Sequence, residues 1–240
     1  MVLADDLPDK RKRAQDVDAF LSKVAATPKR TQSGGRRGKL LFAMDATASR
    51  QPTWDKAASI QGQMFVETAA LGGLDIQLAF YRGFGEFRVG RWTDNEKELL
   101  KLMTSVFCLA GETQIGKVLQ HAVNEAKRDH LNALVFVGDM VEEDVDKLGK
   151  IAGELGLLGV PAFIFHEGHD PVAEFAFKQI AQLSGGACMN FDSSSADVLR
   201  ELLAAVAVYA AGGRAALEDK AKRDGGAVLK LTHQMGGSKS

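Results

Sequence analysis

The chain has 240 residues, 45% hydrophobic and 25% charged, with a formal net charge of −1. That is the composition of a folded domain with an ordinary apolar core, and it excludes wholesale disorder. A charge so near zero supplies no general field for nucleic acid or an anionic membrane, so neither is expected as a partner. The two cysteines, Cys108 and Cys188, each sit among apolar neighbours and point to core thiols in a reducing compartment more than to a disulfide or metal cluster. The start, Met1-Val2-Leu3-Ala4-Asp5-Asp6, lacks the pattern of a secretory signal, and no apolar run approaches the roughly 18 residues of a membrane span. A cytoplasmic location is expected.

In chain order, Val17, Phe20, Leu21 and Val24 recur at helical spacing behind Lys10, Arg11, Lys12 and Arg13, which predicts a short amphipathic helix over residues 8–26. Residues 29–39, with Ser33-Gly34-Gly35-Arg36-Arg37-Gly38, read as a basic flexible linker. Leu40-Leu41-Phe42-Ala43-Met44 then runs straight into Asp45. A strand apolar at every position is buried on both faces, and this one ends in an oxygen-rich loop with hydroxyls at Thr47 and Ser49 and small residues at Ala46 and Ala48. A helix is expected over 53–71, with Trp54, Ala58, Met64, Phe65 and Ala69 on its inner face and Gly72-Gly73 as its stop. Residues 75–81 alternate as a strand, and Gly83 and Gly85 turn it into a second run, 86–89, as an antiparallel hairpin at a sheet edge.

Helices are expected over 95–106 and 114–128, then a buried strand from Ala133 to the acidic stop at Asp139. The helix expected next, over 141–155, has Glu142, Glu143 and Asp144 in its first turn, where carboxylates favour the helix dipole. A strand over 160–165, a helix over 172–183 and a strand over 187–191 follow, and Ser193 to Ser195 can cap a last helix reaching about residue 211. The tail carries a charged helical piece, 215–223, and a short apolar run, 227–231, that offers an edge strand. Strands alternating with helices of this length make an α/β fold: a doubly wound, mostly parallel sheet with one antiparallel edge strand and helices on both faces.

Three polar stations stand out from this framework. They are Asp45-Ala46-Thr47-Ala48-Ser49 after the first strand, Thr113 within Ala110-Gly111-Glu112-Thr113-Gln114-Ile115-Gly116, and Asp139 after Val137-Gly138. Taken singly, each reads as a helix cap or turn residue. Taken together they resemble the metal-ion-dependent adhesion site, or MIDAS, of von Willebrand factor A (VWA) domains, whose motif is written Asp-x-Ser-x-Ser followed by a distant Thr and a distant Asp. Thr47 stands here where Ser is commoner, and Gly111-Glu112-Thr113 where Gly-Gly-Thr is frequent.

The resemblance covers about residues 39–211 and implies a Rossmann-like VWA fold, with residues 1–38 as an N-terminal helix and linker and 212–240 as a C-terminal extension. It implies that Asp45, Thr47, Ser49, Thr113 and Asp139 hold Mg²⁺, with Mn²⁺ or Ca²⁺ as alternatives, and that a Glu or Asp carboxylate of a partner protein completes the shell. The function so implied is cation-dependent protein binding without catalysis, in an adaptor or assembly factor working beside an AAA-type ATPase or in a stress-related assembly. The donor types suit the ion independently of the name, because Mg²⁺ takes hard oxygen ligands and keeps positions open for water or an outside ligand.

Three other readings compete. Residues 111–118 match Gly-x-x-x-x-Gly-Lys, but Val118 stands where a phosphate-binding loop needs Ser or Thr, and the run before it is a poor strand. Asp45 could serve as the nucleophile of a Mg²⁺-dependent phosphohydrolase or phosphotransferase, yet Thr47 occupies the place of the second acidic residue such enzymes use. His166 and His169, expected on the same rim as Asp45 and Asp139, lack a third ligand for zinc and read as polar rim. Trp92 is a candidate partner anchor or a core residue.

Overall fold

Every residue from Leu40 to Met44 is inaccessible to solvent, and that sets the architecture of the computed structural model. The structure describes residues 37–60, 73–191 and 196–224, with isolated positions 19, 22 and 23 besides. Side chains alternate across a strand. Leu40, Phe42 and Met44 of β1 (Gly38–Asp45) therefore face one core and Leu41 and Ala43 the other. The first core is closed by α1 (Gln51–Ile60), α2 (Glu96–Thr104) and α6 (Ala196–Asp224), through residues such as Trp54, Met103 and Val206. The second is closed by α3 (Ile115–Arg128), α4 (Val145–Leu157) and α5 (Pro171–Ser184), through Leu119, Leu155 and Phe177.

The six strands are ordered β3-β2-β1-β4-β5-β6, with β2 (Leu74–Arg82), β3 (Glu86–Thr93), β4 (Ala133–Gly138), β5 (Ala162–Glu167) and β6 (Ala187–Phe191). All neighbours pair in parallel except β3, which runs antiparallel to β2 at the edge. The doubly wound, mostly parallel sheet with one antiparallel edge is thus as the sequence led us to expect. The chain leaves β1 toward β2 on one side and returns to β4 on the other, so the strand order reverses at β1. In open α/β sheets that reversal opens a crevice beyond the carboxyl ends of the two diverging strands. Asp45 ends β1 and Asp139 follows β4.

Several boundaries differ from the sequence expectation. Strand β3 continues to Thr93 where the apolar run suggested 89, because an edge strand tolerates outward polar residues such as Arg88 and Arg91. Helix α4 begins at Val145, with the Asp144 carboxylate accepting from the amides of Asp146 and Lys147, so Glu142 and Glu143 precede the helix. Strand β5 runs to Glu167, which puts His166 inside the sheet and not on the rim. Helix α6 continues to Asp224 across a non-helical Gly213, and Ala216 beyond that break is buried against the first core. The expected amphipathic helix and linker, residues 61–72 of the second expected helix, the serine cap at 193–195 and the run 227–231 lie outside the described residues.

Trp54 donates to Met103 O at 2.8 Å and meets the Phe80 ring edge-on, tying α1 to α2 and β2. Trp92 is half-buried: its indole donates to Glu125 Oε2 and Lys39 Nζ lies 4.9 Å from its ring, so it serves the fold as a packing residue. Both cysteines are free, and burial pushes Cys108 up to about 11 and Cys188 to about 12, which leaves them as unreactive thiols. No helix among the described residues is long and apolar enough to cross a membrane.

One close approach fixes the loop between α2 and α3. A Cβ placed on Gly111 would fall 2.1 Å from Gly83 O in the β2–β3 turn, and the Glu112 amide donates to that same carbonyl. Gly111→Ala is expected to lower unfolding stability by about 1–3 kcal/mol, as overpacking does, measured by urea denaturation.

Candidate functional site

Asp45 is the first polar side chain after five buried apolar ones, and it is itself 1% exposed. Beside it β4 ends in Gly138, where a Cβ would meet the Phe136 ring at 2.8 Å. The carboxylate is fully engaged. Oδ1 accepts from the Thr47 amide at 2.7 Å and Oδ2 from the Tyr81 hydroxyl at 3.1 Å. Burial, together with the Asp139 charge and against the pull of the Thr47 bonds and Arg50, holds the Asp45 pKa above the ordinary carboxylate value. Tyr81 is pushed well up by its own burial and by Asp45, so it stays a hydrogen-bond donor.

Beyond Thr47 the chain enters a 3-10 turn, Ala48–Arg50, which carries an exposed Ser49 toward β4. There its hydroxyl donates to Asp139 Oδ2 at 3.0 Å. Asp139 is also 3.8 Å from Arg50 Nη1. The structure thus brings Asp45, Thr47, Ser49 and Asp139 together at the crevice between β1 and β4.

The contacts of Thr113 are instead with two glutamates. Its hydroxyl donates to Glu143 Oε2 at 2.7 Å and accepts from the Glu142 amide at 3.0 Å, while its own amide donates to Glu142 Oε2 at 2.8 Å. Glu143 Oε1 accepts the Gly116 amide at 2.8 Å. These two carboxylates therefore satisfy free N–H groups at the start of α3, whose own N-cap Gln114 makes no side-chain cap. That is why they leave the first turn of α4, where the sequence pattern placed them.

His166 is completely buried against Phe177, with Nε2 at 3.3 Å from Asp139 O, and burial lowers its pKa. Among the described residues no group of three or more His, Cys, Asp or Glu is arranged to hold a metal. A cation here would have to count hydroxyls among its ligands. Lys117, the lysine of the phosphate-loop reading, lies inside α3 and is bonded to Gly85 O and Gln114 Oε1.

No family model and no curated protein matches the chain. Solved structures match it in fold. The SpRpn10 VWA domain superposes with a TM-score of 0.54 at 13% identity, over 68% of this chain and 94% of that one. The fold is that of a von Willebrand factor A domain. The PilB minor pilin from Streptococcus sanguinis superposes with a TM-score of 0.54 at 10% identity, over 75% of the present chain and 62% of the pilin. Proximal thread matrix protein 1 from the mussel byssus, in a form with a zinc-occupied MIDAS motif, gives 0.52 at 14% identity, over 71% and 48% of the two chains. At these identities the likeness is one of fold.

Sequence reasoning did not find Arg50, Glu167, Tyr81, Glu142 and Glu143 as parts of this rim. Arg50 Nη1 contacts Glu167 Oε2, which also accepts the Thr53 hydroxyl, and all of these lie at strand ends or just after them. The one available signal was position: Arg50 follows the motif directly, and the two glutamates follow Asp139 closely.

Two outcomes test this geometry. Glu143→Ala should cost about 1 kcal/mol of stability, the usual worth of a helix N-terminal cap, read in urea melts. Because the Asp45 pKa is raised in the folded state, that state holds its proton more tightly than the unfolded chain, whose value is near 3.8. The group's stabilising contribution is full below that value and is lost as pH rises through the folded pKa. Asp45→Asn in EDTA should accordingly raise the urea midpoint at neutral pH relative to the natural chain, with the difference vanishing toward about pH 4.

Proposed function

We propose that this chain is a divalent-cation-dependent protein-binding VWA domain, in which Asp45, Thr47, Ser49, Thr113 and Asp139 hold Mg²⁺ and a Glu or Asp side chain of a partner protein completes the ion's shell. The observation that carries the reading is the convergence of Asp45, Ser49 and Asp139 at the crevice where the strand order reverses. The residues fit such an ion by their chemistry. All donors are hard oxygens, and Asp45, Asp139 and Glu167 face a single guanidinium, an excess of negative charge in a poorly solvated place. A cation there relieves the burial penalty on Asp45 and its repulsion from Asp139. When bound, the ion would supply a Lewis-acidic point for an external carboxylate.

The surroundings suit a protein partner. Phe84 is 82% and Phe107 70% exposed, and Leu109 and Met140 are exposed as well. They lie on segments joined to the site: Arg82 donates to Phe107 O, the Leu109 amide donates to Ala46 O, and Met140 follows Asp139. A phosphotransferase reading has less support, since Thr47, in the place of the second acidic residue such enzymes use, offers only a hydroxyl. The phosphate-loop reading has less, since residues 105–114 form no strand. The proposal includes a cytoplasmic setting and an adaptor or assembly role, with residues 1–38 and 212–240 as arms of the 39–211 domain.

Thermal melting in excess Mg²⁺ against EDTA tests the site. An ion that binds only the folded state adds about 2.7 kcal/mol at a hundredfold excess over its Kd, so a clear rise in Tm is expected in the natural chain and none in Asp45→Ala or Asp139→Ala. Equal melting of the natural chain in millimolar Mg²⁺, Mn²⁺ and EDTA would sink the proposal.

A further inference from the structure

The motif's last hydroxyl, Ser49, is followed at once by an arginine that is 3% exposed. Its Nη1 is held on Glu167 Oε2, with Asp139 Oδ2 at 3.8 Å, and its buried Nε has no hydrogen-bond partner among the described residues. Glu167 is fixed in turn by the Thr53 hydroxyl from α1. Burying a guanidinium is expensive unless carboxylates compensate it, and packing alone would favour an apolar side chain here. The carboxylate oxygen that faces Arg50 is the one that takes the Ser49 hydroxyl. A fixed positive charge therefore stands directly behind the group that would attract an ion.

We propose that Arg50 and Glu167 are a charge-setting pair for the cation site: the guanidinium offsets part of the negative potential at Asp139, and Glu167 draws it aside so that Asp139 stays available. This rests on the cation-site reading above. The electrostatics gives the two members opposite signs. Without the guanidinium, Asp139 faces no competing cation, and the site attracts an ion more strongly. Without the Glu167 charge, the whole guanidinium charge falls on Asp139, and the site attracts it less. A pair that served only to hold α1 and β5 in place would loosen the site whichever member were changed.

Isothermal titration of the full chain with Mn²⁺ separates these cases. Arg50→Gln should bind on the order of tenfold more tightly and Glu167→Gln on the order of tenfold more weakly, the scale of one unit charge acting on a divalent ion over about 6 Å at the dielectric of water. Arg50→Lys, which keeps the charge, should stay close to the natural chain. Shifts of both neutral variants in the same direction, or none in either, overturn the pair while leaving the cation site standing. If circular dichroism shows that Arg50→Gln does not fold, Glu167→Gln is set against the charge-keeping Glu167→Asp: weaker binding by the first with near-natural binding by the second supports the pair, and any other pattern overturns it. No Mn²⁺ binding by the natural chain overturns the cation site and the pair together.

Discussion

A central strand enclosed on both faces can hold no polar side chain along its length, and β1 obeys this from Leu40 to Met44. Its first polar group has to wait for the end of the strand, and there the sheet's own topology opens a crevice between β1 and β4. Asp45 is thus placed by the core beneath it as much as by the loop after it. The remaining groups arrange themselves around this fixed carboxylate: Tyr81 from β2, Thr47 from the following turn, and Asp139 from beyond β4.

The consequence is electrostatic. Burial makes the Asp45 charge costly, and Asp139 beside it adds to the cost. The protein meets the acidic load at this edge in two ways. Arg50 supplies an internal cation to Asp139 and Glu167, and the start of α3 supplies partial positive charge and free amides to Glu142 and Glu143. Neither offsets the burial of Asp45, whose pKa stays raised despite Arg50. The exposed Ser49 hydroxyl and the buried Asp45 carboxylate define where a positive group would be welcome.

How far the sequence revealed this depends on whether a property is local. Strands β1, β4 and β5 are short apolar runs, and their alternation with helices carries the doubly wound sheet and its antiparallel edge. Asp45, Ser49 and Asp139 were legible because each is the polar stop of such a run or follows it within a few residues. The partners of these groups were not. Arg50 reads as an ordinary surface charge, since its burial depends on Glu167, far along the chain. Glu142 and Glu143 look like dipole-favouring residues of the helix they precede, and only the folded chain presents them with a better dipole, that of α3. His166 was misplaced because a polar residue at a strand end resembles a loop residue, whereas the packing of Phe177 keeps it inside.

The contact between Gly111 and the Gly83 carbonyl ties two parts of the chain that differ in kind, a β-turn and the loop before a helix. With no space between the two backbones, the height of Thr113 above the sheet is dictated by the length of the hairpin β2–β3 and not by α3. Hairpin turns are usually the places where a protein absorbs insertions. In this chain a residue added at 83–85 would be transmitted to the backbone of the loop that carries Thr113, so the antiparallel edge of the sheet acts as the ruler by which that loop is measured.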